Sequence, residues 1–140
     1  MGDGGREAIG PFLASGGALL DVRAPAEYAQ GHIPGARNLP LFSDAERAAV
    51  GTTYKQQGRQ EAIQLGLELV GPRLAELGQA LRSAHGEGDG VLRLHCWRGG
   101  MRSESVAWLA RQLGLPVVVL DGGYKAFRRW VLALLEQPWP

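Results

Sequence analysis

Val91-Leu92-Arg93-Leu94-His95-Cys96-Trp97-Arg98-Gly99-Gly100-Met101-Arg102-Ser103 is the stretch on which the reading turns. Residues 91–95 (VLRLH) read as a strand running straight into Cys96. From Ser103 the chain turns helical: Val106, Leu109, Ala110 and Leu113 form an i, i+3, i+4, i+7 stripe that Gly114 terminates. Residues 116–120 (PVVVL) are apolar on both faces, as strands of a parallel sheet usually are. Strand, glycine-rich loop, helix and apolar strand together make one unit of an α/β domain.

The same alternation continues outward. Residues 18–22 (ALLDV) read as a buried strand, residues 25–30 as one or two helical turns stopped by Gly31, and residues 36–39 as a short strand closed by Pro40. Ser43 with Glu46 three positions later forms a capping box. Gly51 is expected to end that helix, with residues 52–58 as a polar loop. A helical pattern follows at Ile63, Leu67 and Val70, broken at Gly71-Pro72 and resumed at Leu74, Leu77 and Leu81. Residues 84–90 read as a polar, glycine-rich connection. After Asp121-Gly122-Gly123 comes a last helix, with Phe127, Trp130, Val131, Leu134 and Leu135 on one side. The expected fold class is α/β, a mainly parallel central sheet flanked by helices on both faces. Residues 1–140 are expected to form a single domain, with 1–12 a flexible N-terminus and 137–140 the start of a linker.

Composition narrows the function classes. An apolar fraction of 45% and a charged fraction of 21% describe a globular chain. Fifteen Lys plus Arg against 14 Asp plus Glu give a net charge of +1, so any nucleic-acid contact must come from a local patch. Three histidines, His32, His85 and His95, lie apart without metal-ligand spacing, and no metal site is expected. No apolar run reaches the length of a membrane span, and one cysteine forms no internal disulfide; the cytoplasm is the default.

Cys96 carries the chemistry. It stands at the carboxyl end of a strand, where open α/β sheets place their sites. Gly99 and Gly100 let the backbone curl so that several N–H groups point inward, and the start of the next helix adds its own donors and positive dipole end. A thiol there is stabilised as thiolate and becomes a nucleophile. Arg98 and Arg102 supply charge that holds a bound oxyanion, so residues 97–102 (Trp97, Arg98, Gly99, Gly100, Met101, Arg102) are the expected substrate loop. Trp97 is read at the mouth of this cup. A cysteine after a buried strand is commonly just a small core residue, but two glycines and two arginines in the next six positions are hard to explain as packing. His95, by contrast, reads as a core histidine.

Taken together, Leu19-Leu20-Asp21-Val22-Arg23, Glu27-Tyr28, and Gly31-His32-Ile33-Pro34-Gly35-Ala36, followed by the cysteine loop and Asp121-Gly122-Gly123, resemble the signature of the rhodanese superfamily. The resemblance implies that Cys96 carries a persulfide or its selenium counterpart, and that Asp21, Arg23 and His32 support the surroundings of the site. The loop and residues 46–70 are more narrowly similar to bacterial tRNA 2-selenouridine synthase. That resemblance implies selenium transfer from selenophosphate onto wobble 2-thiouridine of tRNA, and geranylation of the same sulfur from geranyl diphosphate. It also implies a C-terminal P-loop domain, and this chain contains no Gly-x-x-x-x-Gly-Lys-Ser/Thr segment. These substrates would act with the full-length enzyme; this domain itself is expected to hold no cofactor.

Two rival readings stand beside it. The loop also satisfies His-Cys-x5-Arg-Ser, the signature of cysteine-dependent phosphatases, and the same cup would serve a phosphatase or an arsenate reductase. Such an enzyme needs a general acid, usually Asp on a mobile loop, and no Trp-Pro-Asp segment occurs here. A non-catalytic interaction module is the other alternative, although such modules often lack the cysteine. For RNA contact, Lys55 and Arg59 in the polar segment after Gly51 are candidates, as are Lys125, Arg128 and Arg129 on the last helix.

Overall fold

The alternating and 3.6-residue patterns condense into a single parallel sheet with helices between its strands. The structure is a computed structural model and describes residues 5–88 and 90–138. In chain order the elements are β1 (Arg6–Glu7), α1 (Ile9–Ala14), β2 (Leu19–Asp21), α2 (Pro25–Gln30), β3 (Arg37–Asn38), α3 (Asp44–Gln57), α4 (Arg59–Val70), a 3-10 turn (Gly71–Arg73), α5 (Leu74–Gly88), β4 (Leu92–His95), α6 (Met101–Gln112), β5 (Val117–Leu120) and α7 (Gly123–Leu135). The strands order as β1-β5-β4-β2-β3, and every pairing is parallel.

Side chains alternate across the sheet and divide the core in two. Leu20, Leu92, Leu94 and Val119 face one layer with Leu81, Val106 and Ala110. Leu19 and Leu120 face the other, with Phe12, Tyr124 and Phe127. Both faces are thereby covered, which is what the apolar PVVVL strand requires. Because all strands run the same way, the ends of β2, β4 and β5 lie at one edge, and the loops that follow them converge there. Among the described residues, no helix is long and apolar enough to cross a membrane.

Three boundaries differ from the sequence reading. Residues 6–12, expected to be flexible, form β1 and most of α1; Arg6 and Glu7 pair with Val119 and Leu120, and Phe12 is fully buried. The first four residues of that expected segment lie outside the described ones, as do 139 and 140 of the expected linker. Gly51 does not end α3, which continues to Gln57. A glycine stops a helix when its backbone adopts a positive φ, and that residue is Gly58, at φ +97°. The region read as a connection from residue 84 is still α5, because Leu81 and Ala84 bury the helix against the sheet. The Ser43–Glu46 capping box forms as expected, with Glu46 N–H donating to Ser43 Oγ at 3.1 Å and Ser43 N–H to Glu46 Oε1 at 2.9 Å.

Candidate active site

Cys96 follows β4, the middle strand of the five, and is 3% exposed. Its sulfur lies 3.1 Å from Ser103 Oγ in the first turn of α6. That hydroxyl is fully buried and also donates to Gly100 O at 3.2 Å.

What shapes the loop is the turn behind it. Tyr124 N–H donates to Cys96 O at 2.8 Å and Lys125 N–H to Trp97 O at 3.0 Å. These are first-turn amides of α7, which have no partner inside their own helix. Arg6 Nη2 donates to Gly99 O at 2.7 Å. Peptides are planar and trans, and no cis bond occurs among the described residues, so each carbonyl drawn backward turns the next amide forward. The N–H groups of Trp97, Arg98 and Gly100 therefore point away from α7 and Arg6. Two glycines permit the approach. Gly99 has φ +74°, and a Cβ on Gly123 (φ +62°) would lie 2.6 Å from Gly99 N and from Trp97 O.

The β2 end supplies a second brace. Arg23 is 2% exposed and forks onto the fully buried Asp21, with Nε 2.9 Å from Oδ1 and Nη2 2.6 Å from Oδ2. Arg23 Nη2 also donates to Gly31 O at 2.7 Å, and the guanidinium lies over the Tyr124 ring at 4.1 Å. This pair thus ties the ends of β2 and α2 to the start of α7. His32, the third signature residue, is exposed and stacks on Tyr28 at 3.8 Å, its Nδ1 2.9 Å from Tyr28 O.

His95 is buried as read, and burial pushes it below its ordinary value, outweighing the opposing pull of Asp21. It is a neutral imidazole. Its Nδ1 lies 3.3 Å from Cys96 O, a group that only accepts. Nε2, 3.7 Å from Asp21 Oδ2, has no hydrogen-bond partner among the described residues.

Arg102 is placed differently from the expectation that it clamps an oxyanion. Nη1 and Nη2 fork onto Glu27, at 2.6 Å from Oε1 and 3.2 Å from Oε2. Glu27 also accepts from Ala24 N–H and Arg47 Nε, each at 3.0 Å. Burial alone raises the Glu27 carboxyl, but the bond and charge of Arg102, the Ala24 amide and Arg47 together hold it below its ordinary value. A carboxylate carrying two guanidinium partners is the reason Arg102 turns aside. Arg98 and Gly100 are exposed, and Met101 is exposed with Arg59 Nη2 3.7 Å from its sulfur.

Of the five expected RNA-contacting cations, Arg59 thus reaches the loop from the α4 side, while Lys55 is exposed on α3. Lys125 is half-buried and Arg129 exposed on α7. Arg128 lines a depression of about 560 Å³ beside the loop, together with Arg23, Gln30, Arg47, Trp97 and Tyr124. Sequence reasoning gave no role to Arg6, Arg47 or Tyr124, and Glu27 and Gly123 entered only as members of signature motifs. Glu27 carried a signal, as the acidic residue in the first turn of a helix, but its two arginine partners are 20 and 75 positions away.

A parallel α/β sheet with one cysteine in a glycine-bent loop at its carboxyl edge defines the class, and the chain belongs to the rhodanese-like domain family, whose model matches residues 12–129. It is 51% identical over 124 residues to tRNA 2-selenouridine synthase of Bordetella bronchiseptica, a match covering 85% of this chain and 33% of that protein. It is 48% identical over 119 residues to the enzyme of the same name from Serratia proteamaculans, covering 85% and 32%. The chain therefore spans about a third of the length of these curated relatives. The crystal structure of the N-terminal domain of a protein described as ATP/GTP binding, from Clostridium difficile 630, matches with a TM-score of 0.86 and 40% identity, covering 91% of this chain and 98% of that one.

Proposed function

We propose that this domain transfers sulfur or selenium through a persulfide or selenylsulfide on Cys96, as the rhodanese domain of a tRNA 2-selenouridine synthase acting on wobble 2-thiouridine. The observation that carries the reading is the 51% identity to a tRNA 2-selenouridine synthase across 85% of the chain. The site is compatible with it. With a thiosulfate donor, the Cys96 thiolate attacks the outer sulfur, the S–S bond breaks, and sulfite leaves with the bonding pair. The outer sulfur of the persulfide then bears the charge, and the forward-facing amides of Trp97, Arg98 and Gly100 are suited to receive it. Ser103 Oγ lies beside the inner sulfur, 3.1 Å from Sγ. Selenophosphate belongs to the same proposal as selenium source: water takes its phosphorus as phosphate, and the selenide released displaces sulfide from the persulfide to leave the selenylsulfide. Geranyl diphosphate belongs to it as a substrate of the full-length protein. A missing P-loop domain completes it as partner, and tRNA as acceptor.

The phosphatase reading loses its main positive feature in this geometry. Its loop arginine must face the oxyanion, and Arg102 forks onto Glu27 instead.

Intact-mass measurement after incubation with thiosulfate tests the proposal. The expected result is one added sulfur, absent in Cys96→Ser and removed by a thiol reductant. A phosphocysteine adduct formed from an aryl phosphate, with no persulfide from thiosulfate, overturns it.

A further inference from the structure

We infer that the depression beside Trp97 docks an unpaired RNA nucleotide, its base against the Trp97 ring and its flanking phosphates on Arg128 and Arg47. The inference rests on the proposed chalcogen transfer and locates the acceptor in that reaction.

The walls divide by chemistry. One is an aromatic platform: Trp97 is half-buried, and its ring is braced by Tyr124 at 5.8 Å. Tyr124 is itself held by the Arg23 guanidinium at 4.1 Å and by Phe127 at 5.8 Å. A ring fixed from behind with part of its surface open is what an unstacked base needs. The rest of the lining carries three cations, Arg23, Arg47 and Arg128, against one carboxylate, Glu27. Arg128 is exposed and has no ion-pair partner among the described residues. Arg47 is 52% exposed and pairs with Glu27 through Nε at 3.0 Å. Gln30, also on the wall, carries both a donor and an acceptor, the pairing that the edge of a pyrimidine presents. The volume of about 560 Å³ falls within the ordinary range for small-ligand sites and admits one nucleotide.

Other ligands fit this wall less well. A simple anion has no use for a braced tryptophan. A peptide docking as an added strand needs an open sheet edge, and this depression lies at the ends of the strands. A duplex keeps its bases stacked and cannot offer one to Trp97. Proximity completes the case: Trp97 directly follows Cys96, and successive Cα atoms are about 3.8 Å apart. A base on that ring is therefore delivered to the nucleophile's own loop. The cation set differs from the sequence-based one. Arg47 replaces Lys55 and Arg59, neither of which lines the depression.

The test uses the 140-residue chain. A fluorophore-labelled RNA hairpin with 2-thiouridine in its loop is titrated beside a blunt RNA duplex of equal length. The hairpin is expected to bind more tightly. Trp97→Leu should weaken it about tenfold or more, with Trp97→Phe restoring most of the loss. Arg128→Gln should lower the slope of log affinity against log salt by about one. Arg128 is exposed, so this variant's melting temperature should match wild type. Equal binding of hairpin and duplex, or no binding of either, overturns the inference. So does hairpin affinity indifferent to Trp97→Leu and Arg128→Gln. Displacement of the hairpin by equimolar uridine monophosphate also overturns it, since the site would then serve a free nucleotide. Wild-type persulfide loading, read in parallel, separates the two ideas. Hairpin binding through Trp97 without loading sinks chalcogen transfer alone; loading with an indifferent hairpin sinks this site alone.

Discussion

Gly123→Ala is the sharpest probe of how the cysteine loop is held. The added Cβ would sit 2.6 Å from Gly99 N and Trp97 O and 2.7 Å from Arg98 N, where ordinary contact begins near 3.4 Å. Loop and α7 must separate by about 0.8 Å, and all three neighbours are backbone atoms that cannot swing aside. Residue 123 also has φ +62°, which costs a residue with a side chain about 1–2 kcal/mol. Forcing one carbon into a packed contact adds about 1–3 kcal/mol. The combined loss, roughly 2–5 kcal/mol, should lower the melting temperature by about 6–20 °C in a chain of this size. The separation also strains the Tyr124-to-Cys96 and Lys125-to-Trp97 hydrogen bonds that turn the loop amides forward, so persulfide loading from thiosulfate should slow at a temperature where the variant is still folded. Gly51→Ala is the matched comparison. Gly51 lies inside α3 with ordinary φ and no atom within 4 Å of the new carbon, so alanine should stabilise by up to about 1 kcal/mol. A Gly123→Ala variant that melts and loads like wild type would refute the backward-anchored loop. One that melts lower but loads normally would leave the packing argument standing and remove its link to the nucleophile.

Three further outcomes follow from the charged groups. Asp21→Asn leaves Arg23 buried without its carboxylate and should cost about 3–5 kcal/mol by urea denaturation; a loss below that of an ordinary surface substitution would contradict the role of the pair as a brace. Glu27→Gln releases Arg102 and Arg47 and should cost roughly 1–3 kcal/mol, less than a fully buried pair because both partners touch water. The pH dependence has two limbs. His95 titrates below its ordinary 6.5 in the folded state, so the unfolded chain takes the proton first, and stability should fall as pH drops below 6.5 toward the folded value. Glu27 is held below its ordinary 4.5, so the stability from its pairing is present above 4.5 and is lost as pH falls through the folded value. Urea midpoints measured from neutral pH downward should decline in both windows, and Glu27→Gln should flatten the lower one; a lower limb identical in the variant would count against the Glu27 assignment.

Much of the framework was legible because it is written in local patterns. The VLRLH and PVVVL runs, the stripe from Val106 to Leu113 and the Ser43–Glu46 box depend on neighbours within a few positions, and each became the expected element. The failures share one cause. Gly51 and the glycines after Ala84 looked like stops because glycine permits a positive φ, but permission is not adoption, and tertiary burial of Leu81 and Ala84 kept α5 helical. Arg6 and Glu7 form a strand only because β5 is there to pair with, 113 residues later. A two-residue strand has no periodicity to read.

The site divides along the same line, and the division explains why the loop sequence alone fits both a sulfurtransferase and a phosphatase. Cys96, its glycines and Ser103 are local, and they describe only a nucleophile under a ring of amides. Whether that ring faces a phosphate ester or the outer atom of a persulfide depends on where the nearby guanidinium points. In this chain Arg102 forks onto Glu27, 75 positions away in sequence and itself the first-turn acid of α2. With Arg102 engaged, the donors left in the loop are the amides turned by carbonyls that α7 and Arg6 draw backward, together with the exposed Arg98. Amides carry partial charge, so they can stabilise a single anionic chalcogen without holding a dianion so tightly that it never leaves. On the proposed transfer, that balance suits a carrier that must accept a charged atom and then surrender it.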